Sequence, residues 1–311
     1  MKILEGDYRG WVPLDRPTAV TIGVYDGVHL GHQRVLRSLQ ATSLPLVVVT
    51  FRNHPLSVIA PELAPKLLTT IEQRLEKLDD LGVYATAVVD FDDDFRMLPA
   101  EEFVEKLLVA TLRAERVAVG RGFRFGHSQL GDVTLLRSFG ELHGYTVEDV
   151  EILEEGVPVR STVIRALLRE GHAIAAGRLL GRSYRLAGTV VPGDQRGRTI
   201  GFPTANLEIS EGTVVPGSGV YAVRILIDDR SHPGVVNIGR RPTFGGTEYV
   251  VEAHVLDYSG DLYGQIIGLD FVKRLRSEQK FGGVEELVAA IHQDVAAARL
   301  VLEDADDTNA G

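Results

Sequence analysis

The chain places two histidines among three glycines at residues 23–32, in the run Gly-Val-Tyr-Asp-Gly-Val-His-Leu-Gly-His. His29 and His32 supply two donors that can stabilise charge developing on a phosphoryl group, so both are candidate catalytic residues. The run lies between a strand-like and a helix-like segment, and a helix start attracts phosphate through its unpaired N–H groups and its positive dipole. The candidate nucleotide-binding residues of this run are Gly23, Asp26 and Gly31.

A second group for the same chemistry lies at residues 160–165, Arg-Ser-Thr-Val-Ile-Arg. Ser161 and Thr162 place hydroxyls at another predicted helix start, and Arg165 follows about one turn later. Nucleotidyl transfer needs cations around the leaving pyrophosphate, and the planar fork of arginine matches phosphate oxygens. Alone, this segment is typical of an ordinary N-cap with an exposed arginine. Its combination with the histidine run favours a site.

The run at residues 120–126, Gly-Arg-Gly-Phe-Arg-Phe-Gly, follows a predicted strand. Its spacing differs from a dinucleotide fingerprint, and the sequence holds no P-loop motif. Phe123 and Phe125 can stack on a planar ligand, and they can equally belong to the core. The sequence leaves both interpretations open.

The second half of the chain carries another glycine-rich run, at residues 193–206. Gly193, Gly197 and Gly201 recur at regular spacing, which predicts a pliable loop that closes over phosphates. Thr204 and Asn206 then offer neutral oxygens suited to magnesium, a hard cation that keeps several waters. The alternative, a glycine-rich hairpin and turn, does not account for the rigid Pro-Thr-Ala-Asn segment.

Glu252 is a charged residue within an apolar strand-like run at residues 250–255. A charge on an inward face is costly and often functional, and phosphoryl transfer to a hydroxyl needs a carboxylate base. On an outward face it would be an ordinary solvated residue. Strand alternation places His254 on the same face, so the two must be judged together.

The first half alternates strand-like and helix-like segments, which predicts a parallel sheet covered on both faces. The strand candidates are 19–24, 46–51, 86–91, 116–119 and 145–152. The helix candidates are 32–40, 71–81, 100–114, 133–143, 161–169 and 174–179. The predicted class is therefore α/β up to a boundary near residue 182.

Beyond the boundary the sequence is rich in Val, Ile and Tyr and predicts an antiparallel barrel or sandwich. The strand candidates are 184–191, 219–227, 234–238, 249–256 and 266–275. One amphipathic helix, 284–302, closes this domain of residues 183–302. The acidic residues 303–311 predict a disordered tail.

The composition narrows the class of protein. A length of 311 residues favours two domains, and the sequence has no cysteine, which excludes disulfides and thiolate catalysis. No apolar run is long enough for a bilayer, and the N-terminus lacks a signal peptide's apolar core, so we expect a cytoplasmic protein without a membrane partner. A net charge of −10 argues against a nucleic-acid partner.

Together these motifs resemble those of the prokaryotic bifunctional riboflavin kinase/FMN adenylyltransferases, also called FAD synthetases, over about residues 15–302. The transferase motifs of that family match His29–His32 and Thr162–Arg165. Its kinase motifs match Gly201–Asn206, Asn237–Thr243 and Glu252–His254. The resemblance implies an N-terminal Rossmann-like nucleotidyltransferase domain, residues 1–182, and a C-terminal β-barrel riboflavin kinase domain.

The resemblance further implies two steps that use ATP and Mg²⁺. The second domain would phosphorylate riboflavin to FMN, with Glu252 deprotonating the 5′-hydroxyl and with Thr204 and Asn206 holding Mg-ATP. The first domain would adenylylate FMN to FAD and release pyrophosphate. The expected ligand-binding residues of the kinase domain are Gly193, Arg198, Gly201, Pro203, Thr204, Asn206, Asn237 and Arg241.

Three residues of the first half depart from the family pattern: Arg52, Gly122, where the family usually has Asn or Asp, and Arg160, where it usually has Ser. They leave open an alternative in which the kinase is intact and the transferase is lost or retargeted to a modified flavin or another nucleotide. A flavin-binding regulator without catalysis is a third hypothesis. The retained candidate base and histidines argue against it.

Overall fold

The protein is described from a computed structural model. The residues it describes are 1–151, 153–154, 157–193, 197, 200–228, 230–243 and 246–309.

The first part of the chain forms a parallel sheet with the strand order β1-β4-β3-β2-β5-β6. Its strands are β1 (Lys2–Leu4), β2 (Thr18–Ile22), β3 (Leu46–Phe51), β4 (Ala85–Val89), β5 (Ala114–Gly120) and β6 (Thr146–Val150). The chain adds β3 and β4 on one side of β2, and then β5 and β6 on the other. In open α/β sheets, ligands bind beyond the carboxyl ends of the strands at this kind of switch point, here between β2 and β5.

Helices cover both faces of this sheet. They are α1 (Leu30–Gln40), α2 (Leu56–Ile59), α3 (Ile71–Asp80), α4 (Asp93–Arg96), α5 (Ala100–Glu102, continuing as a π-helix over Phe103–Thr111) and α6 (Val133–His143). Alternate residues of one strand enter different cores: Val47 and Val49 pack in one cluster, and Leu46 and Val48 in the other. This burial on both faces confirms the predicted α/β class.

The second part forms a closed antiparallel barrel with the strand order β10-β13-β12-β11-β14-β9. Its strands are β9 (Tyr184–Val191), β10 (Ala205–Glu208), β11 (Gly219–Ile227), β12 (Arg230–Thr243), β13 (Gly246–Val255) and β14 (Ile266–Arg276). Buried and half-buried residues alternate along β9, as expected for one inward face. The predicted barrel is confirmed.

The C-terminal helix, Val284–Asn309, packs on β11, β12 and β14 through Ala298 and Leu302. It ends later than predicted and takes in most of the residues expected to form a disordered tail. No Gly or Pro interrupts residues 284–309, and Glu303 and Ala305 favour helix. No helix in the described part of the chain has both the length and the apolar composition needed to cross a bilayer.

Contacts between Cα atoms divide the chain into two compact units, Met1–Ser161 and Thr162–Gly311. The division falls before the boundary predicted near residue 182. The difference concerns α7 (Ser161–Arg169) and α8 (Ala173–Leu180). Because α8 packs against β9 and β14, the contacts place it with the barrel. A short antiparallel pair of strands, β7 (Leu153–Glu154) and β8 (Val157–Pro158), precedes α7.

Candidate active sites

The loop from β2 to α1 carries the first candidate site at the sheet's switch point. Three of its residues have left-handed backbone: Tyr25 at φ 52°, Gly27 at φ 85° and Val28 at φ 40°. Such a φ is costly for a β-branched residue and persists only where the surroundings hold it. Val28 is fully buried, and the Tyr25 hydroxyl lies 2.8 Å from Oγ1 of Thr21. The loop is therefore strained and held in place, as is common at functional sites.

The two predicted histidines lie together at the start of α1. His29 is the N-cap, and its Nδ1 accepts a hydrogen bond from the backbone N–H of His32 at 3.3 Å. Their rings stack with centroids 3.6 Å apart. The centroid of the Tyr25 ring lies 4.6 Å from that of His32, and the two ring planes are tilted by 31°. The structure thus brings both histidines to one helix start, where the dipole favours an anion.

The charge state of His32 follows from its surroundings. Burial, then the neighbouring His29 and Arg74, lower the pKa of His32 well below its usual 6.5. The ring is therefore neutral at pH 7. Its Nδ1 is buried and has no hydrogen-bond partner in the described part of the chain. A neutral imidazole carries one N–H donor, so it can donate a hydrogen bond to a phosphate oxygen.

Asp26 connects this loop to the segment before α3. Its Oδ1 accepts from the backbone N–H groups of Leu68 at 2.8 Å and Thr69 at 3.2 Å. The backbone N–H of Gly27 donates to the Thr69 hydroxyl at 3.0 Å. Asp26 is buried. Its carboxylate thus fixes two loops to each other, and the predicted binding of the nucleotide by Asp26 stays a prediction.

Arg74 on α3 belongs to this region, although none of the sequence motifs includes it. It is fully buried, and its Nη1 donates to the Phe51 carbonyl at 2.7 Å and to Oγ1 of Thr50 at 3.2 Å. Burial lowers the pKa of Arg74 from the usual arginine value, while the charges of Asp26 and Glu72 oppose that shift. A signal was present, because position 74 lies on the apolar face that Ile71, Leu75 and Leu78 define.

The predicted second group begins beside the same loop. The Ser161 hydroxyl donates to the backbone carbonyl of Asp26 at 2.9 Å. Thr162 is exposed, and Arg165 is buried on the following turn of α7. The hydrogen bond holds Ser161, the last residue of the first unit, beside the histidine loop. The phosphate-binding roles of Thr162 and Arg165 stay predictions.

The two phenylalanines of the 120–126 run differ in burial. Phe125 is buried in the core and its ring lies 5.5 Å from that of Phe103. Phe123 is half-buried and stacks on Phe125 at 5.7 Å. The core interpretation therefore holds for Phe125, which the sequence also proposed as a ligand-binding residue.

Two of the three family departures have local explanations. Arg52 makes ion pairs with Glu5 at 3.0 Å and Asp90 at 2.8 Å on the surface. Gly122 has φ 81° with open space around it. The family's Asn or Asp also tolerates that conformation, so the backbone of the turn need not change. Arg160 is exposed, and nothing in the structure explains its departure.

The second candidate site is a cavity of about 410 Å³ within the barrel unit. Strand register aligns Glu252 of β13 with Asn206 of β10 on one side and Asn237 of β12 on the other. Residues paired in this way share a face of the sheet. Glu252 and Asn237 line the cavity, together with the exposed Thr204. The structure therefore brings together the predicted base and the predicted oxygen ligands.

The glycine-rich run owes its composition to close packing. A Cβ at Gly193 would overlap the side-chain amide of Asn206, and a Cβ at Gly197 would overlap the Phe202 carbonyl. Gly201 has φ 87°, which favours glycine. Arg198 lies outside the described residues. Of Arg241 only the backbone, within β12, is described.

The opposite wall of the cavity comes from the C-terminal helix and the end of β14. Leu287, Ile291 and Val295 line it at helical spacing. Arg276 and Asp294 also line it and form a salt bridge at 2.8 Å. The sequence predicts the helix and its apolar stripe but not that this stripe borders the site.

Known proteins match both halves of the chain. The family model described as FAD synthetase matches residues 12–163, and that described as riboflavin kinase matches residues 180–302. The bifunctional riboflavin kinase/FMN adenylyltransferase of Escherichia coli (strain K12) is 39% identical over 305 residues, 96% of this chain and 97% of the relative. The protein of the same name from Bacillus subtilis (strain 168) is 35% identical, with 89% and 90% covered.

A solved structure also aligns over nearly the whole chain. It is described as a macrolide-efflux protein from Streptococcus pneumoniae and is 29% identical. The alignment has a TM-score of 0.88 and covers 96% of this chain and 99% of the other. The match shows that the two-part fold extends over the full length.

Proposed function

The chain belongs to the family of bifunctional riboflavin kinase/FMN adenylyltransferases, and from this premise we propose which residues perform its two reactions. The enzyme phosphorylates riboflavin to FMN and adenylylates FMN to FAD, with ATP as co-substrate in both steps. The observation that carries the kinase assignment is the cross-strand row Asn206–Glu252–Asn237, of which Glu252 and Asn237 line the cavity.

In the kinase reaction, Glu252 accepts the proton of the riboflavin 5′-hydroxyl. The hydroxyl oxygen forms a bond to the γ-phosphorus of ATP, and the bond from that phosphorus to the β-γ bridging oxygen breaks, which releases ADP. A carboxylate in reach of the hydroxyl is the base that this transfer needs. The planar flavin ring fits against the apolar stripe Leu287, Ile291 and Val295, and the cavity volume lies in the ordinary range for ligand pockets.

The oxygens of Thr204 and Asn206 fit Mg²⁺. They are neutral hard donors next to glycines that leave no room for a Cβ. Within the described residues, no group of three or more His, Cys, Asp or Glu side chains is placed to hold a metal. Thr204 and Asn206 supply few protein oxygens, and ATP phosphates would complete the ligands of Mg²⁺. When bound, it neutralises charge on those phosphates.

In the transferase reaction, His29 and His32 at the start of α1 hold the phosphates of ATP. A phosphate oxygen of FMN attacks the α-phosphorus, and pyrophosphate leaves. The neutral His32 donates a hydrogen bond to the charge that develops there. Arg165 is proposed to bind the pyrophosphate end. Gly23 and Gly31 give the nucleotide close access to the backbone.

We also propose that the enzyme acts in the cytoplasm on small molecules, with no nucleic-acid partner. The sequence has no cysteine and so forms no disulfide that would need an oxidising compartment, and its net charge of −10 disfavours binding to nucleic acid.

The test is incubation of the full chain with riboflavin, ATP and MgCl₂, followed by chromatography of the flavins. We expect FAD as the end product, with FMN appearing first. FMN that accumulates without FAD would contradict the transferase assignment. Omission of MgCl₂ should stop the appearance of FMN.

A further inference from the structure

We propose that His254 is a positioning residue of the kinase site, which holds the metal-binding segment against the strand of the catalytic base. The proposal rests on the roles given above to Glu252, Thr204 and Asn206. His254 follows Glu252 by two residues on β13, so the two side chains lie on the same face, and both line the cavity.

The central contact is a hydrogen bond between Nδ1 of His254 and the backbone carbonyl of Pro203, with 2.7 Å between the two atoms. A carbonyl oxygen only accepts, so Nδ1 carries the proton and donates. Proline has no N–H, which leaves its carbonyl as the backbone group that a hydrogen bond can hold. The bond therefore fixes the residue directly before Thr204.

The hydrogen bond matters because the segment that it holds lies outside the barrel strands. Strand β10 begins at Ala205, so Pro203 and Thr204 lie outside the barrel ladder. Asn206 is held by its pairing with Glu252, but Thr204 is not in that ladder. The hydrogen bond from His254 holds the exposed residue Pro203 against β13. It thereby sets the distance between the Thr204 oxygen and the base.

Aromatic contacts hold the preceding residue from two sides. The ring of Phe202 meets His254 edge-on with centroids 5.6 Å apart. It also meets His292 of the C-terminal helix edge-on at 4.9 Å. The segment is thus held at residue 202 by ring packing and at residue 203 by the hydrogen bond. His254 takes part in both contacts.

The experiment compares three substitutions of His254 in the full chain. His254→Asn places an amide N–H where Nδ1 stood and keeps the donor. His254→Gln carries its amide one carbon farther, and His254→Leu keeps bulk without a donor. For each, riboflavin kinase rates are measured with MgATP varied at saturating riboflavin, and then with riboflavin varied at saturating MgATP. FMN adenylyltransferase activity of the same preparation and circular dichroism report on folding.

We expect His254→Leu and His254→Gln to raise the KM for MgATP about tenfold, equivalent to about 1.4 kcal/mol, with a smaller change in kcat and in the KM for riboflavin. His254→Asn should stay within about threefold of the unsubstituted enzyme, as expected if one hydrogen bond carries the effect. Phe202→Leu, which removes the ring contacts and keeps the donor, should raise the same KM by a smaller factor.

The proposal is overturned if His254→Leu leaves the KM for MgATP unchanged, or if His254→Asn is as impaired as His254→Leu. Equal loss in kcat and in both KM values would likewise show a general structural role and contradict positioning. Glu252→Gln, measured in parallel, tests the proposed base separately from the positioning role of His254. If it retains kinase activity, the assignment of the base fails whatever the His254 variants do.

Discussion

The two sites of this enzyme prepare for phosphate chemistry in different ways. In the proposed transferase site, His29, Asp26 and Arg74 are all shielded from solvent, and the loop from β2 to α1 has strained backbone. In the kinase site Thr204 is exposed, and Glu252 is only half-buried. Burial sets the charge state in the first site, whereas strand register sets the geometry in the second. Substitutions in the transferase site should therefore alter stability and activity together. Substitutions in the kinase site should alter activity alone.

The largest effect is expected from Glu252→Gln. The amide keeps the shape of the side chain but cannot accept the hydroxyl proton, so FMN formation from riboflavin should fall by about 10²–10⁴-fold. Adenylylation of supplied FMN and the unfolding midpoint should stay unchanged. Separate assays with riboflavin and with FMN measure the two activities. Loss of both in a folded protein would mean that the two sites are not independent.

The double substitution His29→Ala with His32→Ala should impair adenylylation of FMN and leave riboflavin phosphorylation intact. Loss of the donors at the start of α1 is expected to reduce FAD formation from FMN by about 10²–10³-fold. Riboflavin phosphorylation should persist. Because His29 is the N-cap of α1, about 1 kcal/mol of stability should be lost as well. Unchanged FAD formation would remove the histidines from the mechanism.

Arg74→Met tests whether the buried cation supports the first site. It leaves the Phe51 carbonyl and the Thr50 hydroxyl without the donor they now have, at a cost of about 1–3 kcal/mol. The single tryptophan, Trp11, lies in the core of the same unit, so its fluorescence during urea unfolding reports this loss. Arg52→Met is the matched surface control, with an expected cost of at most about 1 kcal/mol. Equal costs would contradict the comparison of buried and exposed groups.

The smallest effect concerns pH. The folded pKa of His32 lies well below 6.5, so the unfolded chain binds this proton at a higher pH than the folded chain does. The contribution of neutral His32 to folding stability is fully present above pH 6.5. As the pH drops from there toward the folded pKa, the free energy of unfolding falls by up to about 1.4 kcal/mol per pH unit. His32→Gln should lack this decline. Trp11 fluorescence between pH 5 and 8 compares the two proteins, and parallel curves would argue against a neutral buried His32.

Much of this architecture could be predicted from the sequence. The predicted segments 46–51, 133–143, 161–169, 184–191 and 219–227 have the same bounds in the structure. Both glycine-containing motifs also lie where the order of predicted elements places them. Periodicity and turn residues are local, so a single sequence carries them in full.

The parts that were missed depend on contacts between distant residues. The Arg74 donors reach residues more than 20 positions earlier in the chain. The Asp294–Arg276 bridge joins a helix to a strand that precedes it by 18 positions. The backbone N–H groups that donate to Asp26, those of Leu68 and Thr69, lie 42 and 43 positions away. Spacing alone does not reveal which side chain a fold will use for support.

The row Asn206–Glu252–Asn237 also limits how the enzyme can evolve. Because the barrel is closed, β13 is paired on both sides, with β10 and with β12. An insertion of one residue within β13 would turn Glu252 to the other face and break its alignment with both neighbours at once. Gene variants that lengthen this domain should therefore be tolerated in the connecting loops and eliminated in this strand. The proposed role of Glu252 therefore constrains the length of β13, whereas the connecting loops can vary in length.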